Sequence, residues 1–374
     1  MIRVLMPSIV DPELQVGGAW TMTRALVRLL REGPLGAEVE IVSNPHRSRA
    51  GHLLQQWSAI GQSFVSNLPA KILFSQTRRM RLDVERFLHE GNFDLVVLNG
   101  CDLLWLLQYL PNKPKCLLVA HNIEHQLFAA QSRWHVRRAW PAARWLSTEY
   151  ERLRHFEMEG LSRVGTVLFL SSADAQYVLS QFPALQSITI PPCFDDPSAP
   201  RPIGTTGTDT LHIGMLANFD WWPNRQGIHW FLQDVLPDLS PQVRIHLFGN
   251  GSGRAAPSDH RVEAHGHMPR AQDAFARCNF MICPILSGGG VCVKLAEALY
   301  HAVPVLATRF AARGLTLDPH PAIVLIDDAN DWVRFINQQG RELARQKVPA
   351  EISAQFKMET HTGKLSDFIR EAIG

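Results

Sequence analysis

The sequence predicts an α/β protein built from two Rossmann-like, doubly wound domains that face each other across a cleft. Three observations carry that prediction. The chain has 374 residues, enough for two domains of ordinary size. Short β-type apolar runs alternate with longer stretches of helical spacing, the pattern of parallel βαβ units. The alternation stops at residues 193–210 (CFDDPSAPRPIGTTGTDT), crowded with Pro, Gly, Asp, Ser and Thr, and then restarts.

In the first half, residues 4–10, 39–42, 93–98, 115–120, 166–170 and 187–190 read as strands. Residues 17–31 read as a helix, with Ala19, Met22, Leu26, Leu29 and Leu30 on one face. In the second half, residues 212–216, 243–249, 280–285, 303–308 and 322–326 read as strands, and 225–236 and 294–300 as helices. The expected division is an N-terminal domain 1–195, a linker 196–210, a C-terminal domain 211–353 and a C-terminal helix 354–374 that packs back on the N-terminal domain. Doubly wound sheets bind ligands beyond the carboxyl ends of their strands, so the inter-domain cleft is the expected site.

Composition narrows the function. A net charge of +2 argues against nucleic acid as a partner, because phosphate neutralisation needs a concentrated basic surface. Cys101, Cys116, Cys193, Cys278, Cys283 and Cys292 include no C-x-x-C pair, which fits free thiols in a reducing compartment better than disulfides or a zinc site. The opening MIRVLMPSIV reads as a buried strand rather than a signal peptide, and no run of about 20 apolar residues occurs. The expected location is the cytoplasm, with a peripheral position at the inner membrane face as the second option.

The most informative segment is 284–308, PILSGGGVCVKLAEALYHAVPVLAT. A strand runs into Ser287, Gly288, Gly289 and Gly290, and a helix begins near Val291. Glycines let the backbone approach a ligand closely, and the amides and dipole of a helix start favour phosphate. Lys294 can add a point charge to a diphosphate. Glu297, three residues later on the same face, can accept hydrogen bonds from two adjacent ribose hydroxyls. The plainer reading is a flexible turn with a solvated Lys–Glu pair. The segment is not a Walker loop, since no Gly-Lys-Ser/Thr occurs.

Other features carry two readings each. Gly17 and Gly18, after the first strand, suit a phosphate-binding helix start or a simple helix-entry turn. His121-Asn122-Ile123-Glu124-His125 spells H-x-x-E-H, the inverted zinc-protease signature, but it follows a strand, where that chemistry needs a helix and a third ligand. A structural histidine is the third option there. Residues 133–154 interleave Trp134, Trp140 and Trp145 with Arg133, Arg137, Arg138 and Arg144, which suits an anionic lipid surface. Pro141 interrupts a continuous helix, so a loop with buried tryptophans and solvated arginines is the rival. Glu157 reads as helix surface charge or as the partner of a cation near the cleft, and Trp221-Trp222 as packing or as a stacking platform.

The stretch GGGVCVKLAEALYHAVPVLAT resembles the donor-binding segment of GT-B glycosyltransferases of family GT4, often written GGTRLKILEAMAMGRPVVST. GMLANFDWWPNRQGIHWFLQDVLP (214–237) resembles the start of their C-terminal domain, His121-Asn122-Ile123-Glu124 their HN-x-E segment, and FLSSAD (169–174) a strand and turn late in the N-terminal domain. The resemblance implies the GT-B fold and metal-independent transfer of a sugar, with retention, from a nucleotide-diphosphate sugar to a glycan, lipid-linked or small-molecule hydroxyl acceptor. No cofactor is implied. It assigns Glu297 to the donor ribose as the second glutamate of an E-x7-E element, Lys294 to the diphosphate and His121 to the sugar, with Ser287, Gly288, Gly289, Gly290 and Val291 along the donor and Gly17 and Gly18 on a loop bordering the diphosphate and acceptor. Asn218 stands at the family's arginine position in the first C-terminal loop, with Arg225 substituting for its lysine. The first glutamate falls at Gly289, as in one branch of the family. That departure motivates a rival reading, a non-catalytic sugar- or nucleotide-binding protein; a sugar-nucleotide epimerase of the same fold is a second rival.

Overall fold

The computed structural model describes residues 2–9, 18–43, 49–111, 115–136, 140–195 and 210–374. The chain divides into two compact units, Met1–Pro191 with His361–Gly374, and Pro192–Thr360.

In the first unit, β1 (Arg3–Ser8), β2 (Glu38–Ser43), β3 (Leu95–Asn99), β4 (Lys115–Ala120), β5 (Thr166–Phe169) and β6 (Gln186–Thr189) form one parallel sheet, ordered β2-β1-β3-β4-β5-β6. The central strands are apolar through their middles because both faces are covered: Val4, Leu5, Met6, Val96, Val97, Leu98 and Leu118 are fully buried. The helix Gly18–Glu32 lies on this sheet through Met22, Leu26, Leu29 and Leu30. The chain leaves β1 for β2 on one side and returns for β3 on the other, so the strand order reverses between β1 and β3. The helix Glu359–Ile373 closes the chain; it buries Leu365 and Ile369, and Arg370 donates to the Pro34 carbonyl at 2.7 Å.

In the second unit, β7 (Leu211–Leu216), β8 (Val243–Phe248), β9 (Val262–Gly266), β10 (Phe280–Cys283), β11 (Val305–Ala307) and β12 (Ile323–Leu325) are again parallel, ordered β12-β11-β10-β7-β8-β9. This is the dinucleotide-fold order, and its reversal lies between β7 and β10. Ile213, Ile245, Leu247, Phe280, Leu306 and Trp332 make the core. Asp328 caps the helix Ala329–Arg345 by accepting from the Asn330 and Asp331 amides.

Several expectations are corrected. The helix expected at 225–236 begins at Trp222, because Pro223 falls in the first turn, where its missing N–H breaks no bond. It ends at Trp230 and passes into a wider turn, Phe231–Val235. The strand β9 is absent from the expectation because VEAHG carries two polar side chains on one face. The loop expected within 133–154 is helical: Glu124–Val136 is one helix and Trp140–Val164 another, with Pro141 in the opening turn of the second. Of the expected linker 196–210, all but Thr210 lies outside the described residues.

Gly227 sets how closely the helix Trp222–Trp230 approaches the exit of β10. A Cβ there would sit 1.9 Å from the Pro284 carbonyl oxygen, closer than any contact allows. Gly227→Ala is therefore expected to destabilise the protein by about 2 kcal/mol or more. Gly61→Ala, in the helix Arg49–Ser63 with open space around it, is expected to be neutral or stabilising by about 0.5–1 kcal/mol. Urea unfolding of the two variants measures the contrast.

Candidate functional site

The strongest candidate site lies at the strand-order reversal of the second unit. β10 ends in the buried Cys283, and the chain turns through Pro284–Val291 before the helix Val293–Tyr300. That helix starts two residues later than the sequence suggests. The loop has three anchors. The Thr308 hydroxyl, just past β11, donates to the Ile285 carbonyl. The Ser287 hydroxyl donates to the Gln226 side-chain oxygen. Gly288 lies against Pro223, whose ring carbon would be 3.4 Å from any added Cβ. Gly288 (φ 145°) and Gly290 (φ 64°) occupy conformations that L-residues with side chains rarely adopt.

The start of the helix Val293–Tyr300 favours negative charge. Cys292, at the N-cap position, has its thiol lowered to about 7. The largest cause is the hydrogen bond from Cys283; burial opposes it, and the Leu295 and Lys294 amides assist. In the first turn, Lys294 Nζ contacts Glu297 Oε2 at 2.6 Å. The Glu297 side chain is 10% exposed and that of Lys294 33%, so the pair is partly shielded from water. Amides, an ammonium and a carboxylate thus share one end of one helix, a set suited to an anion joined to a polyol.

The adjacent loop after β7 contributes Asn218, which is exposed, and whose Oδ1 accepts from the Asp220 amide at 3.0 Å. Its carbonyl accepts from Asn224 Nδ2 at 2.8 Å. Arg225 is exposed in the first turn of the next helix.

Residues 210–339 match the family model described as Glycosyl transferases group 1. The match takes in all six strands of the second unit, which resembles a glycosyl transferases group 1 domain. The chain as a whole has the GT-B fold. Sucrose-phosphate synthase from Thermosynechococcus elongatus is similar with a TM-score of 0.69 at 17% identity, over 99% of each chain. Anabaena HepE, solved in complex with UDP-glucose, gives 0.67 at 16% identity over 99% of this chain and 100% of its own. TarM gives 0.67 at 11% identity over 98% of each. At these identities the likeness is one of fold. No curated protein sequence matches the chain.

In the second unit, then, the structure brings Ser287, Gly288, Gly289, Gly290, Val291, Lys294 and Glu297 onto one loop and helix, with Asn218 and Arg225 on the neighbouring loop and helix start. Gln226 and Thr308, which hold the loop, were missed; the only sequence signal was their position beside the motif. Trp222 is buried, as packing requires, whereas Trp221 is 46% exposed.

His121 lies in the first unit, just past β4. Asn99, at the end of β3, donates its amide to Ser8 Oγ at 2.8 Å and to Thr23 Oγ1 at 2.9 Å. Its Oδ1 can therefore only accept, and His121 Nε2 lies 2.7 Å from it. This fixes the His121 proton on Nε2 and leaves the lone pair on Nδ1. Asn99 is a further site residue missed in the sequence, although an asparagine closing the run LVVLN was a usable signal. Gly18 opens the helix Gly18–Glu32, and Gly17 lies outside the described residues.

The H-x-x-E-H motif and Glu157 have a different explanation from those weighed above. His125 Nδ1 donates to Glu157 Oε2 at 2.6 Å, and its Nε2 meets the Tyr177 hydroxyl at 2.9 Å, so both its nitrogens are engaged away from His121. Glu157 is 1% exposed rather than a surface charge, and it also accepts from the Glu124 and His125 amides at 2.8 and 3.1 Å. It caps the helix Glu124–Val136 from outside. Lys71 joins this network by pairing with Glu124 and, at 3.3 Å, with Asp102. Burial raises the Asp102 carboxyl to about 7, with Lys71 opposing.

Burial also holds His121 at about 4, below its ordinary 6.5, with Glu124 pulling the other way. The unfolded chain therefore takes up this proton first on acidification. The contribution of neutral His121 is full above pH 6.5 and is lost as pH falls through that value towards 4. His121→Gln retains an N–H for Asn99 and cannot titrate. It is expected to flatten the fall in Tm across this window, leaving the part due to His246, which is also held at about 4. Thermal unfolding at stepped pH checks this.

Proposed function

We propose that the chain is a glycosyltransferase that moves a sugar from a nucleotide-diphosphate sugar to a hydroxyl acceptor, with retention and without a metal ion. The observation that carries this reading is the braced glycine loop at the reversal point of a unit that matches the glycosyl transferases group 1 model, with the Lys294–Glu297 pair on the helix that follows. Sugar transfer expels a nucleoside diphosphate, and the charge that develops on it must be met by groups already in place. The amides of Gly288, Gly289 and Gly290, the helix start and Lys294 take that role. Glu297 accepts from the ribose hydroxyls. Gly289 has no side chain to read the donor sugar, so backbone groups do so, and neutral His121 meets the transferred sugar. Two similar structures support a UDP-type donor: HepE was solved with UDP-glucose, and a TarM mutant from S. aureus with UDP.

The test is release of nucleoside diphosphate from UDP-, GDP-, ADP- and TDP-sugars in the presence of candidate acceptors. Lys294→Ala is expected to lower kcat by about 10²–10³-fold. Glu297→Gln is expected to raise the donor KM by about tenfold with a smaller change in kcat. Activity is expected to persist in chelator. Nucleotide binding without turnover would assign a binding protein instead, and an isomerised donor with no acceptor product an epimerase.

We also propose that the first unit rests on a membrane that presents the acceptor. The helix Arg49–Ser63 and the turn after it expose Leu54 (72%), Trp57 (70%), Phe64 (66%) and Val65 (89%). Phe64 contacts Trp145 of the tryptophan- and arginine-bearing segment at 6.3 Å, and Arg152 of the same helix donates to the Ser63 carbonyl. A cluster of exposed apolar groups of this kind suits a bilayer surface. Among the described residues no helix is long and apolar enough to cross a membrane. Co-sedimentation with anionic vesicles is expected for the wild type and lost in Trp57→Glu/Val65→Glu. Equal recovery of both proteins with the vesicles would count against it.

A further inference from the structure

The sheet of the second unit carries a cluster of imidazoles that the proposed sugar transfer does not use. Ile245 and Leu247 of β8 point into the core, so His246 between them points to the other face. There it lies between His212 of β7 and His265 of β9. The rings are stacked, with centroids 5.1 and 5.2 Å apart. His212 Nδ1 is 2.9 Å from His246 Nε2, and His246 Nδ1 is 2.9 Å from His265 Nε2. Glu263, directly across from His246 in the ladder, places Oε2 3.6 Å from His246 Nδ1 and 3.8 Å from His265 Nε2. The register slips between Leu247 and Phe248, so His265 is the extra residue of a bulge. A bulge re-aims a side chain, and here it serves to bring His265 to His246.

We propose that His246 Nδ1, Glu263 Oε2 and His265 Nε2 form a binding site for a zinc-class divalent transition ion, with water in the fourth position. A tetrahedral ion with ligands at about 2.0–2.2 Å spaces them about 3.3–3.6 Å apart. The three separations here, 2.9, 3.6 and 3.8 Å, need shifts of only a few tenths of an ångström. In the metal-free protein a single proton bridges the two imidazoles where the ion would sit. Ligation requires neutral imidazoles, and burial lowers both, His246 to about 4. The second nitrogen of His246 donates to His212, the outer contact that orients a ligating ring. Arg277, exposed, now donates to His265 Nδ1 at 3.4 Å and is free to swing into solvent when that nitrogen holds the proton. Two imidazoles and one carboxylate select this class of ion over magnesium or calcium, which prefer all-oxygen shells. Glu263, 53% exposed, supplies the entry side. The bound ion would clip the edge strand β9 to β8.

The experiment titrates chelator-treated full-length protein with zinc by calorimetry, and with cobalt by absorption. One equivalent of zinc is expected to bind and raise Tm. The cobalt spectrum is expected to show tetrahedral d–d bands and no thiolate charge transfer. Glu263→Gln, on a half-exposed side chain, is expected to weaken binding tenfold or more with Tm unchanged in chelator, and His265→Asn, on a largely buried one, to weaken binding by at least as much. Failure of the wild type to bind a stoichiometric ion would overturn the site. So would unaltered affinity in Glu263→Gln, or a thiolate band, which would place the ion on Cys283 and Cys292.

Discussion

The helix Trp222–Trp230 can lie on the exit of β10 only because residue 227 has no side chain, and the candidate donor site depends on that approach. It brings Gln226 to Ser287 and Pro223 to Gly288. A loop with three consecutive glycines has the largest conformational entropy to lose of any backbone, so left alone it would spend little time in one geometry. Held at Ser287, at Gly288 and, through Thr308, at Ile285, it is ordered before any ligand arrives. Pre-ordered amides stabilise developing charge without reorganising during the reaction, which is where such groups have their largest effect. Fold topology and site chemistry therefore meet in one contact: the strand-order reversal puts the two loops side by side, and Gly227 lets their elements touch.

The first unit reaches the same end by polar means. Its reversal point lies between β1 and β3, and Asn99 there joins Ser8, Thr23 and His121. Ser8 and Thr23 are fully buried and Asn99 nearly so, and a buried amide without partners would cost several kcal/mol. Each hydrogen bond therefore constrains the next, and the His121 ring inherits its orientation from groups on two strands and a helix. Glu157 works in the same way. Its two oxygens take the first amides of the helix Glu124–Val136 and the His125 ring, where the helix dipole also favours a carboxylate.

How much of this was legible depends on what kind of signal each part leaves. Buried parallel strands write themselves as apolar runs, so five of six strands in the second unit were readable. The exception, β9, sits at the edge with Glu263 and His265 on one face, and no apolar pattern betrays it. The glycine loop with Lys294 and Glu297 was readable because its parts are contiguous. Asn99, Gln226 and Thr308 were not, because each acts on a residue distant in sequence. Glu157 was misread for the same reason: a glutamate in a helix looks solvated until its partners, over 30 residues away, are known. The H-x-x-E-H string shows the converse failure. His121 belongs to a strand exit and His125 to a helix start, so contiguity there joins two unrelated roles.

The Lys294–Glu297 pair bears on selectivity. An ammonium offers three N–H donors, and one contact to Glu297 leaves two directions for an incoming oxyanion. Glu297, in a shielded position, meets that oxyanion as a like charge unless something neutral and hydrogen-bonding covers it. In the proposed function ribose hydroxyls do so: they donate to the carboxylate while the attached diphosphate accepts from Lys294 and the loop amides. A nucleoside diphosphate satisfies both halves of the pair, whereas free pyrophosphate satisfies one and is opposed by the other. Discrimination of this kind comes from the penalty on the wrong ligand as much as from contacts to the right one. Under the proposed function, the pairing that keeps the lysine and the glutamate compensated is thus the same arrangement that ties anion binding to the presence of a sugar ring.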